Sequence, residues 1–154
     1  MTNIFLDLDG VCSDFEGGFL NFFGKEHDSG SVGEMWKTID SKKDFWISLP
    51  ETKDFRTLWN YIKQYNITIL TGCPSKPAFY VAQKAKKEWV NQRMGNIPVI
   101  CCLSRFKKNY MTNKNDILID DKEENCKRWT NSGGRSIFHT SADNTITQLK
   151  LFRL

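Results

Sequence analysis

The residues best suited to chemistry stand where apolar runs end. Residues 4–11 read Ile-Phe-Leu-Asp-Leu-Asp-Gly-Val, so two carboxylates, Asp7 and Asp9, follow an apolar segment two positions apart. If that segment is a β-strand, alternation sends Asp7 and Asp9 to one side and Leu8 to the other. Carboxylates held that close repel, and are tolerated most easily around a cation or when one shares a proton; a donor set made only of oxygens suits Mg²⁺. The competing motif is a calcium loop of the EF-hand type. It requires acids at alternate loop positions with glycine sixth, whereas here glycine is fourth and valine fifth.

Three further runs end in polar groups. Residues 117–121, Ile-Leu-Ile-Asp-Asp, deliver Asp120 and Asp121. Adjacent acids also serve as helix caps, but four acids at one sheet edge would be costly without a metal. Residues 69–72, Ile-Leu-Thr-Gly, offer the Thr71 hydroxyl and the open backbone N–H of Gly72, donors of the kind that hold phosphoryl oxygens at a strand-to-helix turn. After residues 99–103 come Ser104-Arg105-Phe106-Lys107-Lys108, which bring cations to the same edge. Of the two lysines Lys107 is favoured over Lys108, because a spacing of three lets Tyr110 pack inward while Lys107 faces the site.

These groups need a sheet to gather them. Residues 4–6, 67–70, 99–103 and 117–119 read as buried parallel strands, with 136–138 a weaker fifth. Between them lie helical patterns. In residues 76–93 Ala78, Ala82, Ala85 and Trp89 form one apolar stripe, with Lys84 and Lys87 directed elsewhere, Pro77 in the first turn and Gly95 as the stop. Residues 123–130 form a short helix closed by Gly133 and Gly134, and Ser141 caps a terminal one. Strand and helix in alternation give an α/β layered sheet. Residues 15–62 break the alternation: they contain no convincing strand yet hold Phe15, Phe19, Phe22, Phe23, Trp36, Phe45, Trp46, Phe55 and Trp59. This segment reads as a small helical insertion, too short to fold by itself and packed on the sheet.

Composition narrows the class. The 154 residues, 40% of them apolar and 26% charged, suffice for one core and exclude a multi-domain machine or a disordered chain. No run approaches a bilayer span and Asp7 interrupts the first apolar stretch, so the expectation is a cytoplasmic protein with no membrane partner. The net charge of +4 conceals an asymmetry, with 11 acids against 6 bases in residues 1–60 and 7 against 16 in residues 61–154. Nine of those bases lie in residues 76–114 beside a single acid, Glu88, a segment that draws anions, with nucleic acid and phosphate esters both candidates. Cys12, Cys73, Cys101, Cys102 and Cys126 form no CxxC pair and no zinc spacing with His27 or His139, which argues against a structural zinc or a disulfide framework.

Acid pair, threonine, lysine, acid pair, each at a strand end, resembles the four-motif arrangement of the haloacid dehalogenase-like (HAD-like) phosphatases. Within that superfamily, residues 5–19 (Phe-Leu-Asp-Leu-Asp-Gly-Val-Cys-Ser-Asp-Phe-Glu-Gly-Gly-Phe), Leu70-Thr71-Gly72-Cys73-Pro74, Lys87-Glu88-Trp89-Val90 and Leu118-Ile119-Asp120-Asp121 resemble the 5′(3′)-deoxyribonucleotidases. The likeness covers nearly the whole chain. It implies a three-layer Rossmann-like parallel sheet with a core of residues 1–14 and 63–154 and a helical cap of residues 15–62 inserted after the first strand.

The resemblance also implies roles. Asp7 would attack phosphorus to form an aspartyl-phosphate, and Asp9 would protonate the leaving oxygen and then deprotonate water. Mg²⁺ would be held by the Asp7 carboxylate, the Asp9 carbonyl and the second pair, with Asp121 the direct ligand and Asp120 in support. Thr71 and Gly72 would grip the transferred group, and Phe15, Phe45 and Trp46 would stack on the base. Two positions depart from the group's pattern, Gly72 for a common serine and Lys122 for a frequent arginine. The expected activity is Mg²⁺-dependent hydrolysis of deoxynucleoside monophosphates. The alternatives are a phosphatase acting on nucleic-acid termini or another small phosphate ester, and a nucleotide-binding module without turnover.

Overall fold

In a computed structural model, which describes residues 2–27, 32–40, 44–76 and 78–154, five strands form one parallel sheet. Pro77 and the side chain of Trp36, both named above, lie outside that set. The strands are β1 (Asn3–Leu6), β2 (Asn66–Gly72), β3 (Val99–Cys102), β4 (Ile117–Asp120) and β5 (Arg135–Phe138), in the spatial order β3-β2-β1-β4-β5. The order reverses at β1, whose neighbours are β2 and β4. Open α/β sheets bind ligands beyond the carboxyl ends of the strands at such a switch point.

Side-chain alternation explains the three layers. Ile4 and Leu6 of β1, Ile67 and Ile69 of β2, and Ile117 and Ile119 of β4 point to one face, where they join a core with Phe55, Leu58 and Ile62 of helix α4 (Phe55–Ile62), Ala82, Ala85 and Trp89 of α5 (Phe79–Met94) and Leu149 of α7 (Ala142–Leu151). The opposite face presents Phe5, Leu70 and Leu118 to Trp129 of α6 (Glu123–Asn131), with the Phe5 and Trp129 rings 5.2 Å apart. Strands covered on both sides read as continuous apolar runs, which is why they are visible in the sequence.

The expected elements appear, most of them within two residues of their sequence bounds, while α5 starts three residues after its pattern, at Phe79. The stripe on α5 is buried, Lys84 and Lys87 are exposed, Gly95 ends the helix, and the Ser141 side chain accepts a hydrogen bond from the Asn144 N–H at the start of α7. Lys107 and Lys108 belong to a 3₁₀ segment, Ser104–Tyr110, that follows β3. Tyr110 does not pack inward as its spacing suggested: it is 37% exposed, because the segment lies along the sheet rim where only the Lys107 side of the turn faces protein.

Between β1 and β2 the described residues contain helices α1 (Phe15–Phe23), α2 (Val32–Asp40), α3 (Phe45–Ser48) and α4 and no strand. Helix α4 packs on α7, whereas α3 packs on α5 and α1 on α3. The aromatic surplus of this segment becomes ring-on-ring packing: Phe45, fully buried, meets Phe15, Phe22, Phe23 and Trp46 at centroid distances of 5.1 to 5.8 Å. Edge and tilted contacts of this kind add to the burial of apolar area itself. No described helix is long and apolar enough to cross a membrane.

Candidate functional site

Parallel pairing carries the acids to one edge. Leu6 of β1 is in register with Ile119 of β4, and the Asp7 N–H donates to the Ile119 carbonyl at 2.9 Å, so Asp7 and Asp120 leave adjacent strand ends side by side. Both are buried, at 5% and 0% exposure. Two such carboxylates would be prohibitive without a counter-charge. It is supplied by Lys107, 2% exposed, whose Nζ lies 2.7 Å from Asp7 Oδ1 and 2.6 Å from Asp120 Oδ2. Burial pulls the lysine towards its neutral form, but Asp7 and Asp120 outweigh it and hold the ammonium above its ordinary range. Lys108, one residue on, is exposed and reaches none of these groups.

Asp120 is saturated by protein. Its Oδ2 accepts from Lys107 and, at 3.0 Å, from Asn125 Nδ2, and its Oδ1 accepts from the Lys122 N–H at 2.9 Å. Asp121 is the opposite case. Its Oδ1 is buried and has no hydrogen-bond partner among the described residues. Burial, with Asp7 and Asp120 adding repulsion, pushes its carboxyl up to about 7. Burial likewise raises Asp7, aided by Asp120 and opposed by Lys107. Single carboxylate oxygens of Asp7, Asp120 and Asp121 lie within 4.8 Å of one another. A buried orphan oxygen beside two further carboxylates fits a hard divalent cation such as Mg²⁺, with Asp7 and Asp121 offering the free oxygens and Asp120 holding Lys107 and the α6 start in place.

Gly10 makes room for this arrangement. Its φ of +87° is one that L side chains rarely adopt, and a Cβ there would stand 2.1 Å from Asp121 Oδ2. Gly10 belongs to the tight turn after β1, closed by Leu8 carbonyl bonds from Cys12 and Ser13 at 2.8 and 2.9 Å. Strand geometry ends at Leu6, so this turn, and not strand alternation, positions Asp9. Asp9 consequently does not join the three-acid cluster. Its Oδ1 accepts from Ser13 Oγ at 2.9 Å and its Oδ2 from Lys86 Nζ at 2.5 Å.

A cavity of about 440 Å³ opens over these groups, within the range of small-molecule sites. Its floor includes Asp7, Asp9, Lys107 and Asp121, its β2 side Gly72, Cys73 and Ser104, and its outer wall Asp14, Phe15, Glu16 and His27. Thr71 is fully buried behind Gly72, and its Oγ1 accepts from Lys86 Nζ at 3.0 Å. Of the three expected stacking rings only Phe15 lines the cavity; Phe45 and Trp46 are 0% and 3% exposed within the helical segment. Cys73 also lines the cavity; a hydrogen bond with Cys101 and burial raise its thiol above its ordinary value, which disfavours the thiolate that a nucleophile needs.

Several participants carry no motif. Lys86 is 1% exposed and meets Asp9, Thr71 and the Gly72 carbonyl. Its one sequence signal is placement: four after Ala82 and three before Trp89, a lysine on the apolar stripe itself. Asn125 and Ser104, joined at 3.0 Å through Asn125 Nδ2 and Ser104 Oγ, brace Asp120 without any signal in the sequence. His27 Nδ1, 3.1 Å from Glu16 Oε1, is brought to the cavity wall only by folding.

No family model and no curated protein matches the chain. Solved structures do. A haloacid dehalogenase-like family hydrolase of Streptococcus pneumoniae superposes with a TM-score of 0.58 at 15% identity, over 96% of this chain and 91% of that one. A second hydrolase, from Streptococcus pneumoniae TIGR4, gives 0.51 at 14% identity, over 96% and 97%. At such identities the likeness speaks for the fold: the chain has a HAD-like α/β architecture.

Proposed function

We propose that the protein is a Mg²⁺-dependent phosphatase that hydrolyses small phosphate monoesters, deoxynucleoside monophosphates being the preferred class. The observation that carries this reading is the group Asp7, Lys107 and Asp121 at the floor of a cavity, backed by the fully buried Asp120 and with Asp9 beside it. An Asp7 carboxylate oxygen attacks phosphorus, the bond to the ester oxygen breaks, and the departing alkoxide takes the Asp9 proton, leaving a phosphorylated Asp7. Water then attacks phosphorus and gives its proton to Asp9, releasing phosphate and restoring both carboxyl groups. Lys107 opposes the burial and the Asp120 charge that favour a protonated Asp7, and it offers positive charge to the phosphoryl oxygens. Gly72 and Ser104 border the space where those oxygens would lie. The metal, held through Asp7, Asp121 and the Asp9 carbonyl, would supply charge neutralisation of the phosphoryl group.

For the substrate class, the support is the cavity volume and Phe15, an aromatic residue among those that line it. The test is phosphate release from deoxy- and ribonucleoside monophosphates, phosphorylated at the 5′ or 3′ position, from a 5′-phosphorylated oligonucleotide and from an aryl phosphate, each with Mg²⁺ and with EDTA. Mg²⁺-dependent release, fastest from a deoxynucleoside monophosphate and lost in Asp7→Asn, supports the proposal. Release by Asp7→Asn at the wild-type rate refutes the nucleophile, and preference for the oligonucleotide refutes the substrate class.

A further inference from the structure

Lys86 is a buried cation that the reaction sequence above leaves without a task. It rises from α5, on the face of the sheet away from Lys107, and nearly all of its side chain is enclosed. An ammonium has three N–H donors. Here three acceptors meet them: Asp9 Oδ2 at 2.5 Å, Gly72 O at 2.7 Å and Thr71 Oγ1 at 3.0 Å. On its remaining side the ring of Trp46, from α3, lies over the nitrogen with the centroid 4.5 Å away. A charge that deep is expensive unless its geometry is fully satisfied, and full satisfaction makes the arrangement stiff.

We infer that Lys86 is the positioning residue of Asp9, and that it ties Asp9, the Thr71 hydroxyl and the α3 ring into one unit. The inference rests on Asp9 as the proton carrier proposed above. With both oxygens accepting, Ser13 on Oδ1 and Lys86 on Oδ2, Asp9 stands in the ionised state that takes the proton from water, and its carboxylate plane is fixed relative to Asp7. The same ammonium occupies a lone pair of Thr71 Oγ1, whose own proton is directed to the Gly72 carbonyl at 3.4 Å, so Lys86 and Thr71 together fix that carbonyl. The contact with Trp46 links the helical segment between β1 and β2 to the proton carrier, so a displacement of α3 is felt at Asp9.

A residue that acts through Asp9 matters in proportion to how much the leaving group needs a proton. Lys86→Met keeps the apolar stem under Trp46 and removes the three donors. For a deoxynucleoside monophosphate, whose alkoxide must be protonated, kcat/KM falls about 100-fold; for p-nitrophenyl phosphate, whose phenolate leaves unaided, it falls less than about fivefold. Ser13→Ala, a smaller truncation that spares the lysine, moves the ratio of the two values in the same direction. In the Asp9→Asn background, Lys86→Met produces no further loss on the nucleotide, since the group it positions is already absent. Equal loss on both substrates, or additive losses in the double variant, overturns the inference in favour of a merely structural lysine. Absence of turnover in the wild type would refute the proposed function, and the positioning claim is then judged on the crystal structure of Lys86→Met. Asp9 turned away from its present rotamer sustains the claim, and Asp9 unmoved overturns it.

Discussion

Replacing Lys107 with methionine tests the electrostatic reasoning at its most exposed point. The ammonium stands 2.7 Å from one carboxylate and 2.6 Å from another, with all three groups buried. At an effective dielectric of about 20, each contact carries about 6 kcal/mol of attraction, most of it offset by the cost of removing the charges from water. Methionine fills a similar volume but leaves Asp7 and Asp120 facing each other with no counter-charge, and breaking a buried pair in this way costs about 3–5 kcal/mol. For a domain of this size that lowers the melting temperature by about 6–20 °C. The measurement is thermal unfolding of wild type and Lys107→Met at neutral pH in EDTA and in millimolar Mg²⁺. Because a divalent cation between Asp7 and Asp121 would supply some of the missing positive charge, the Mg²⁺-induced rise should be larger in the variant than in the wild type. A variant that melts within about 2 °C of the wild type in EDTA would show that the cluster does not depend on Lys107, and the charge argument would fail.

Gly10→Ala must force a methyl group into the place of Asp121 Oδ2 at a φ unsuited to alanine; we expect a loss of about 1–2 kcal/mol in urea unfolding and weaker Mg²⁺ binding by calorimetry, and unchanged binding would refute the packing argument. In metal-free protein Asp121 keeps its proton up to about pH 7 against an ordinary 3.8, so the folded state holds more protons than the unfolded chain between those values. This group's contribution therefore lowers stability as pH rises through that window, and the Mg²⁺-induced gain in melting temperature should be larger at about pH 8 than at about pH 5.5; equal gains would contradict it. Phe45→Ala, at a fully buried ring, should cost about 3–5 kcal/mol of stability, whereas Phe15→Ala should chiefly raise KM for a nucleotide; the reverse pattern in unfolding and kinetic assays would place the stacking ring at Phe45.

Some of this protein is written along its chain. Five strands and the helices α5, α6 and α7 are legible because each buries a continuous run or a one-sided stripe, and such patterns depend only on residue order. The parallel sheet follows from alternation of the two element types, and with it the delivery of Asp7, Asp120 and Gly72 to one edge, since parallel strands end on the same side. Other features needed the fold. Alternation places Asp9 beside Asp7, but the chain leaves the strand at Leu6, so a tight turn carries Asp9 to Lys86 instead. The spacing that favours Lys107 over Lys108 rested on Tyr110 packing inward. Lys107 is buried beside Asp7 for a different reason, the course of a 3₁₀ segment along the rim. The unequal state of Asp120 and Asp121, one saturated with hydrogen bonds and the other holding an orphan oxygen, arises from Asn125, the Lys122 N–H and the close approach of Gly10, contacts that no motif spells out. Lys86 is the plainest case. Its pattern marks it as a cation on an apolar stripe, and only the packing of α5 under Trp46 and against Asp9 decides that the charge is kept there and what it holds. Local order determines which face of an element is apolar; which buried charge meets which partner depends on distances between segments far apart in the chain, and those exist only once the layers have closed.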